Sequence, residues 1–123
     1  MPRDIPEHER PLNERYRLAC ERWTSVRQVW RELKEFKPVR LDELKLAVLQ
    51  DARSEGRHIT ESVATREAQT SDAWKGYLKR LLDAEHSKNI AEAEKKALEM
   101  EQWERNDRNA TAREERRSYR MGG

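Results

Sequence analysis

Between Ile59 and Tyr119 the chain contains no proline and a single glycine, Gly76. The segment is dense in Ala, Leu, Glu, Lys and Arg, which lose little side-chain freedom on entering a helix. Thr60 is a side-chain N-cap, and Ile59 before it can staple onto Ala64. The pattern predicts one very long helix, kinked near Thr70–Ser71 or at Gly76. A helix of that length cannot bury its own apolar stripe, so it requires a partner helix or a second copy of the chain. Charged residues make up 41% of the sequence and hydrophobic ones 35%. That balance is too polar for a thick core and suits long helices that each bury one narrow stripe. The expected fold class is all-α: a helical hairpin or coiled-coil bundle with one very long C-terminal helix.

Three of the four prolines fall in Met1–Pro11, which reads as an extended, mobile arm. A first helix is expected over about 12–36. Its apolar residues Leu12, Tyr16, Ala19, Trp23, Val26, Trp30 and Leu33 alternate steps of four and three. This is a heptad stripe, which implies a left-handed supercoil against a partner. Rings as large as Tyr16, Trp23 and Trp30 in one column favour a bundle of three or more helices over a two-stranded coil. Lys37–Pro38 should end the helix, because the residue before proline is pushed out of helical geometry. A second helix, about 41–54, carries the stripe Leu41, Leu44, Val48 and Ala52. It ends at Arg53–Gly56 with Gly56 in the left-handed cap. The hairpin domain then extends over 12–104, with the long helix over 60–104. Trp74, Tyr77, Leu78, Leu81 and Ala84 form its packed face, extended upstream by Val63 and Thr70 and downstream by Ile90, Ala93, Ala97 and Met100. In the simplest arrangement the first helix folds back on Val63–Ala84 and the Ala93–Tyr119 half projects outward. Residues 105–123 read as a polar, basic tail that is helical or disordered.

The four glycines, Gly56, Gly76, Gly122 and Gly123, form no phosphate-cradling loop, and no constellation of an enzyme is present. Cys20 is the only cysteine, so a disulfide within the chain or a thiolate cluster is not expected; it reads as a small packing residue. Glu55–His58 and Asp83–His86 have the i, i+3 spacing of carboxylate-bridged metal sites in bundles. Such a site needs both pairs on facing helices and two further carboxylates, and Gly56 breaks the helix at the first pair. No metal or other cofactor is expected. With no secretory leader and no apolar run long enough to span a bilayer, the protein is expected in the cytoplasm and away from membranes.

Charge is distributed in blocks. Leu12–Arg40 is mainly basic, Leu81–Glu104 mainly acidic, and Arg105–Gly123 basic again. Arg15, Arg22, Arg27, Arg31 and Lys34 flank the aromatic column of the first helix. Arg66, Lys75, Lys79 and Arg80 recur near Trp74 and Tyr77, and Arg113, Arg116 and Arg117 stand in the tail. Basic side chains track a phosphate backbone and aromatic rings stack on unpaired bases, the two requirements of a single-strand binder. The periodicity favours the other assignment, of Tyr16, Trp23, Val26, Trp30, Leu33, Trp74, Leu78 and Leu81 to a helix seam that joins helices or copies, leaving the cations as its solvated edges. The tail reads either as a phosphate-binding arm or as a helix held by Glu–Arg pairs.

The basic first helix with Tyr16, Trp23 and Trp30, the polar connector Arg53–Thr60, and the runs Val63–Ala68 and Tyr77–Leu81 resemble small phage-encoded recombination mediators. Those proteins load a RecA-like recombinase on single-stranded DNA. The resemblance covers Leu12–Leu98 and stops before the Arg105–Arg120 tail. It implies a homo-oligomer that binds single-stranded DNA and touches a recombinase or a single-strand-binding protein, in the host cytoplasm if phage-encoded. Two other classes fit the same residues: a phage-type adaptor or inhibitor that docks on a protein, and a structural coiled-coil assembly protein without nucleic-acid binding.

Overall fold

The computed structural model describes residues 5–121. A 3-10 turn at Glu7–Glu9 is followed by α1 (Leu12–Ser54), α2 (Glu61–Thr70) and α3 (Asp72–Met121). The class is all-α, as expected, with no strand among the described residues. The start of the expected mobile arm, residues 1–4, and the terminal Gly122–Gly123 lie outside the described residues. The rest of the arm is tied down: its 3-10 turn closes through Glu9 N–H to Pro6 O at 2.9 Å, and Glu7 pairs with Arg22 at 2.6 Å.

Two helix boundaries differ from the sequence expectation. Pro38 does not separate two helices; it lies inside α1. The proline ring is compatible with helical φ. It removes one N–H and crowds the carbonyl four residues earlier, that of Lys34, at a cost of about 3 kcal/mol. The Tyr77 hydroxyl donates to the adjacent carbonyl, Leu33 O, so a tertiary bond supports the helix where its own ladder is weakest. The second difference is one of degree: the kink expected near Thr70–Ser71 is a full break in the helix. It falls at Ser71, whose backbone is extended at φ −70° and ψ 151°, while Gly76 stays helical. The Ser71 hydroxyl accepts the Trp74 N–H at 3.2 Å and so starts α3 as an N-cap. Beyond 104, the tail continues α3 as helix to Met121.

The expected caps are present. Thr60 Oγ1 accepts the Val63 N–H at 3.3 Å. Gly56 has φ +74°, and the Gly56 and Arg57 N–H groups bond to Arg53 O at 3.1 Å and Ala52 O at 2.8 Å. This is the paired bonding of a Schellman end, and the left-handed residue within it favours glycine.

The chain forms two compact units. In the unit Ser25–Lys88, the second part of α1, α2 and the first part of α3 bury Ala52, Ala64, Ala68, Trp74 and Tyr77. The Trp74 and Tyr77 rings stack with centroids 5.7 Å apart. Val26, Trp30, Leu33, Leu41, Leu44, Val48, Leu78, Leu81 and Ala84 are half-buried around them. Upstream of Ser71, however, it is Ala64 and Ala68 that face inward; Val63 and Thr70, expected on that face, are exposed.

The other unit joins Met1–Thr24 to Asn89–Gly123. Leu12, Ala19 and Ala91 are its buried apolar residues. Arg22 meets Glu94, Tyr16 meets Glu99 and Arg15 meets Glu101. Position rises on α3 as it falls on α1, so the segments run antiparallel, and the half of α3 expected to project is paired as far as Glu101. Its register also differs from expectation. Ile90 and Met100 are 56% and 64% exposed, and Ala93 and Ala97 are exposed with them. The covered positions are Lys88, Ala91, Lys95, Leu98 and Gln102, with Glu92 half-buried beside Ala91; the main stripe again steps by three and four.

Most of the core is alanine, so the few large buried residues hold most of the apolar area. Trp74→Ala should destabilise the protein by about 3–5 kcal/mol, measured as a lower urea midpoint of the helical circular dichroism signal.

Candidate nucleic-acid interface

The aromatic column of α1 is occupied. In the first unit described above, Lys88 Nζ lies 3.9 Å and Lys34 Nζ 4.9 Å from the Trp30 ring centroid. In the other, Lys95 Nζ lies 4.2 Å from that of Trp23. These are cation–π distances: the ammonium groups themselves lie over the ring faces. The Tyr16 hydroxyl donates to Glu99 Oε1 at 2.9 Å. The Cys20 thiol, and next the Glu99 carboxylate, push its pKa up to about 12. Val26 and Leu33 are half-buried on the same stripe, and Trp74, Leu78 and Leu81 lie on the covered face of α3.

The basic residues have separate fates. Arg22 bridges Glu7 at 2.6 Å and Glu94 at 2.7 Å, which raises its pKa, chiefly through the Glu7 hydrogen bond. Arg15 donates to Arg10 O at 3.1 Å and pairs with Glu101 at 3.5 Å. A cation held by two carboxylates has little charge left for a phosphate. Arg27 is exposed and has an interaction of its own. Arg31, Lys34, Arg66, Lys75, Lys79 and Arg80 are exposed, so these stay open to solvent.

The tail brings its cations together. Arg113, Arg116, Arg117 and Arg120 line a groove of about 450 Å³. Their spacing of i, i+3, i+4 and i+7 puts them on one face of α3. Arg113–Arg117 and Arg116–Arg120 are like-charge i, i+4 pairs, each destabilising a helix by about 0.2–0.5 kcal/mol. Among the described residues no ion pair joins any of the four to an acid, so the reading of this tail as a helix held by Glu–Arg pairs finds no such pair here. The favourable field at a helix C-terminus offsets part of the repulsion, and a bound polyanion would offset the rest. Sequence reading picked out Arg113, Arg116 and Arg117 but not Arg120; the i+4 step from Arg116 on a continuous helix is the signal that adds it.

Among the described residues, no three His, Cys, Asp or Glu side chains gather as a metal-holding group, and no helix is long and apolar enough to cross a membrane. Comparison with protein-family models, curated proteins and solved structures gives no match.

The Arg22 hydrogen bond holds the Glu7 carboxyl below its ordinary value of 4.5. The stabilisation from the pair should be whole above that value and fade as pH falls through the lowered one. In a carbon-detected NMR titration, Arg22→Ala should move the Glu7 midpoint upward, toward the ordinary value.

Proposed function

We propose that this is a non-enzymatic accessory protein of the recombination-mediator kind, which binds single-stranded DNA in the cytoplasm on the arginine face of α3. The observation that carries the reading is the groove lined by Arg113, Arg116, Arg117 and Arg120, four cations on one helix face without a described acidic partner. Capture is electrostatic: guanidinium forks take phosphate oxygens, release counterions from the strand, and read no base edges. The helical rise spreads the four residues over roughly 10 Å. That span matches about three steps of a strand advancing ~3.4 Å per nucleotide. A recombinase or single-strand-binding protein would then meet DNA displayed along one helix.

Homo-oligomerisation belongs to the same reading. It is supported by the open apolar stripe of Ile90, Ala93, Ala97 and Met100, which no described residue covers. Apolar stripes rimmed by charge are a common mark of association surfaces.

Single-strand binding should weaken with salt by about 0.7 log units per log unit of salt for each phosphate contacted. Arg116→Gln with Arg117→Gln should therefore flatten that slope by roughly 1.4 and weaken binding at low salt. Arg22→Gln should leave affinity near wild type. Fluorescence anisotropy of a labelled oligothymidylate across a salt series reads both. An unchanged slope in the double variant would remove the tail from the mechanism.

A further inference from the structure

We infer that Tyr119 is the residue that lets this face prefer unpaired bases over duplex, an assignment that rests on the nucleic-acid reading above. Tyr119 is 89% exposed. It follows Arg116 by three residues and precedes Arg120, and i, i+3 residues are neighbours on a helix surface. Its ring therefore stands at the edge of the arginine groove, about 4.5 Å along the axis from Arg116.

The other rings are ill placed for this task, among them Phe36, which is 43% exposed but belongs to the unit Ser25–Lys88 and not to the one that holds the arginine groove. Trp74 and Tyr77 stack on each other in a core. Trp23 and Trp30 lie under lysines, and the Tyr16 hydroxyl is held by Glu99. Trp103 is 67% exposed, but it precedes Arg116 by about 20 Å of helix. Tyr119 also continues the heptad column Ala91, Leu98, Arg105 and Ala112. On that column Ala91 is buried and Leu98 and Ala112 are half-buried, whereas at Tyr119 no described residue covers the ring. An open aromatic ring beside cations that hold a backbone is the arrangement on which a splayed base stacks. In duplex DNA the base faces are already stacked, so only a single strand can use the ring.

The test compares the full-length wild type with Tyr119→Ala and Tyr119→Phe, with helicity checked by circular dichroism. Three probes are titrated at low salt: a short oligothymidylate, a duplex of equal length, and inorganic polyphosphate. Tyr119→Ala should weaken oligothymidylate binding about tenfold, leave duplex and polyphosphate binding unchanged, and so abolish single-strand preference. Tyr119→Phe should bind as wild type. Equal oligothymidylate affinity in wild type and Tyr119→Ala would overturn the role of Tyr119 while leaving the arginine face standing. Failure of the wild type to bind any of the three would overturn the nucleic-acid reading, and this assignment with it. Wild-type binding of polyphosphate as tightly as oligothymidylate would overturn the assignment by making the groove a general polyanion site.

Discussion

A lysine laid over a tryptophan is the contact on which the pairing of α1 and α3 depends. Trp23 and Trp30 are seven residues apart on α1, and Lys95 and Lys88 are seven apart on α3. Each compact unit holds one such pair, at 4.2 Å and 3.9 Å. The interaction resolves the difficulty set by a chain that is 41% charged. Its buried residues include Ala19, Ala52, Ala64, Ala68 and Ala91, and each alanine removes little apolar area from water. A tryptophan ring and a lysine stem supply much more area, and the ring quadrupole gives the ammonium a favourable neighbour. Arg22 between Glu7 and Glu94, and Arg15 with Glu101, then fix the same antiparallel register at the edge of one unit. Each of those pairs is solvent-exposed enough to add little stability by itself; their contribution is to alignment.

That arrangement also decides where a ligand can be held. Rings under lysines do not stack on bases, and arginines between carboxylates do not grip phosphate. The most basic part of the first helix therefore spends two of its cations on internal pairing. The opposite holds at the end of α3. There four cations share one helix face and line a groove, and an exposed tyrosine stands beside them. The part of the chain that contributes least to packing carries four cations with no acidic partner among the described residues.

Much of this was legible in the residues themselves. The stripe from Leu12 to Leu33 is buried or half-buried at all seven expected positions, because every member is apolar and the period is unambiguous. Thr60 and Gly56 announced their caps for local reasons that tertiary context did not override. The register of α3 was hidden because its inward positions include Lys88, Lys95 and Gln102. A hydropathy pattern instead selects Ile90 and Met100, which face solvent. Long polar side chains can occupy a seam when an aromatic partner faces them, and no single-helix pattern reveals that partner. Pro38 misled for a similar reason, since the support at Leu33 O comes from Tyr77, 44 residues away. Of the site, the basic character of the tail was visible, but the gathering of Arg113, Arg116, Arg117 and Arg120 on one face required the helix to be continuous beyond residue 104.

The most direct test of the account is a double-mutant cycle at the seam, using Lys88→Met, Trp30→Leu and the double variant, with unfolding free energies from urea titration. Both replacements are apolar, and the cycle subtracts the packing lost at each site alone, so the coupling energy isolates the cation over the ring. A favourable coupling of about 0.5–2 kcal/mol is expected. Additive losses, with no coupling, would contradict it and leave the register of α1 and α3 to apolar packing and the ion pairs at its edge.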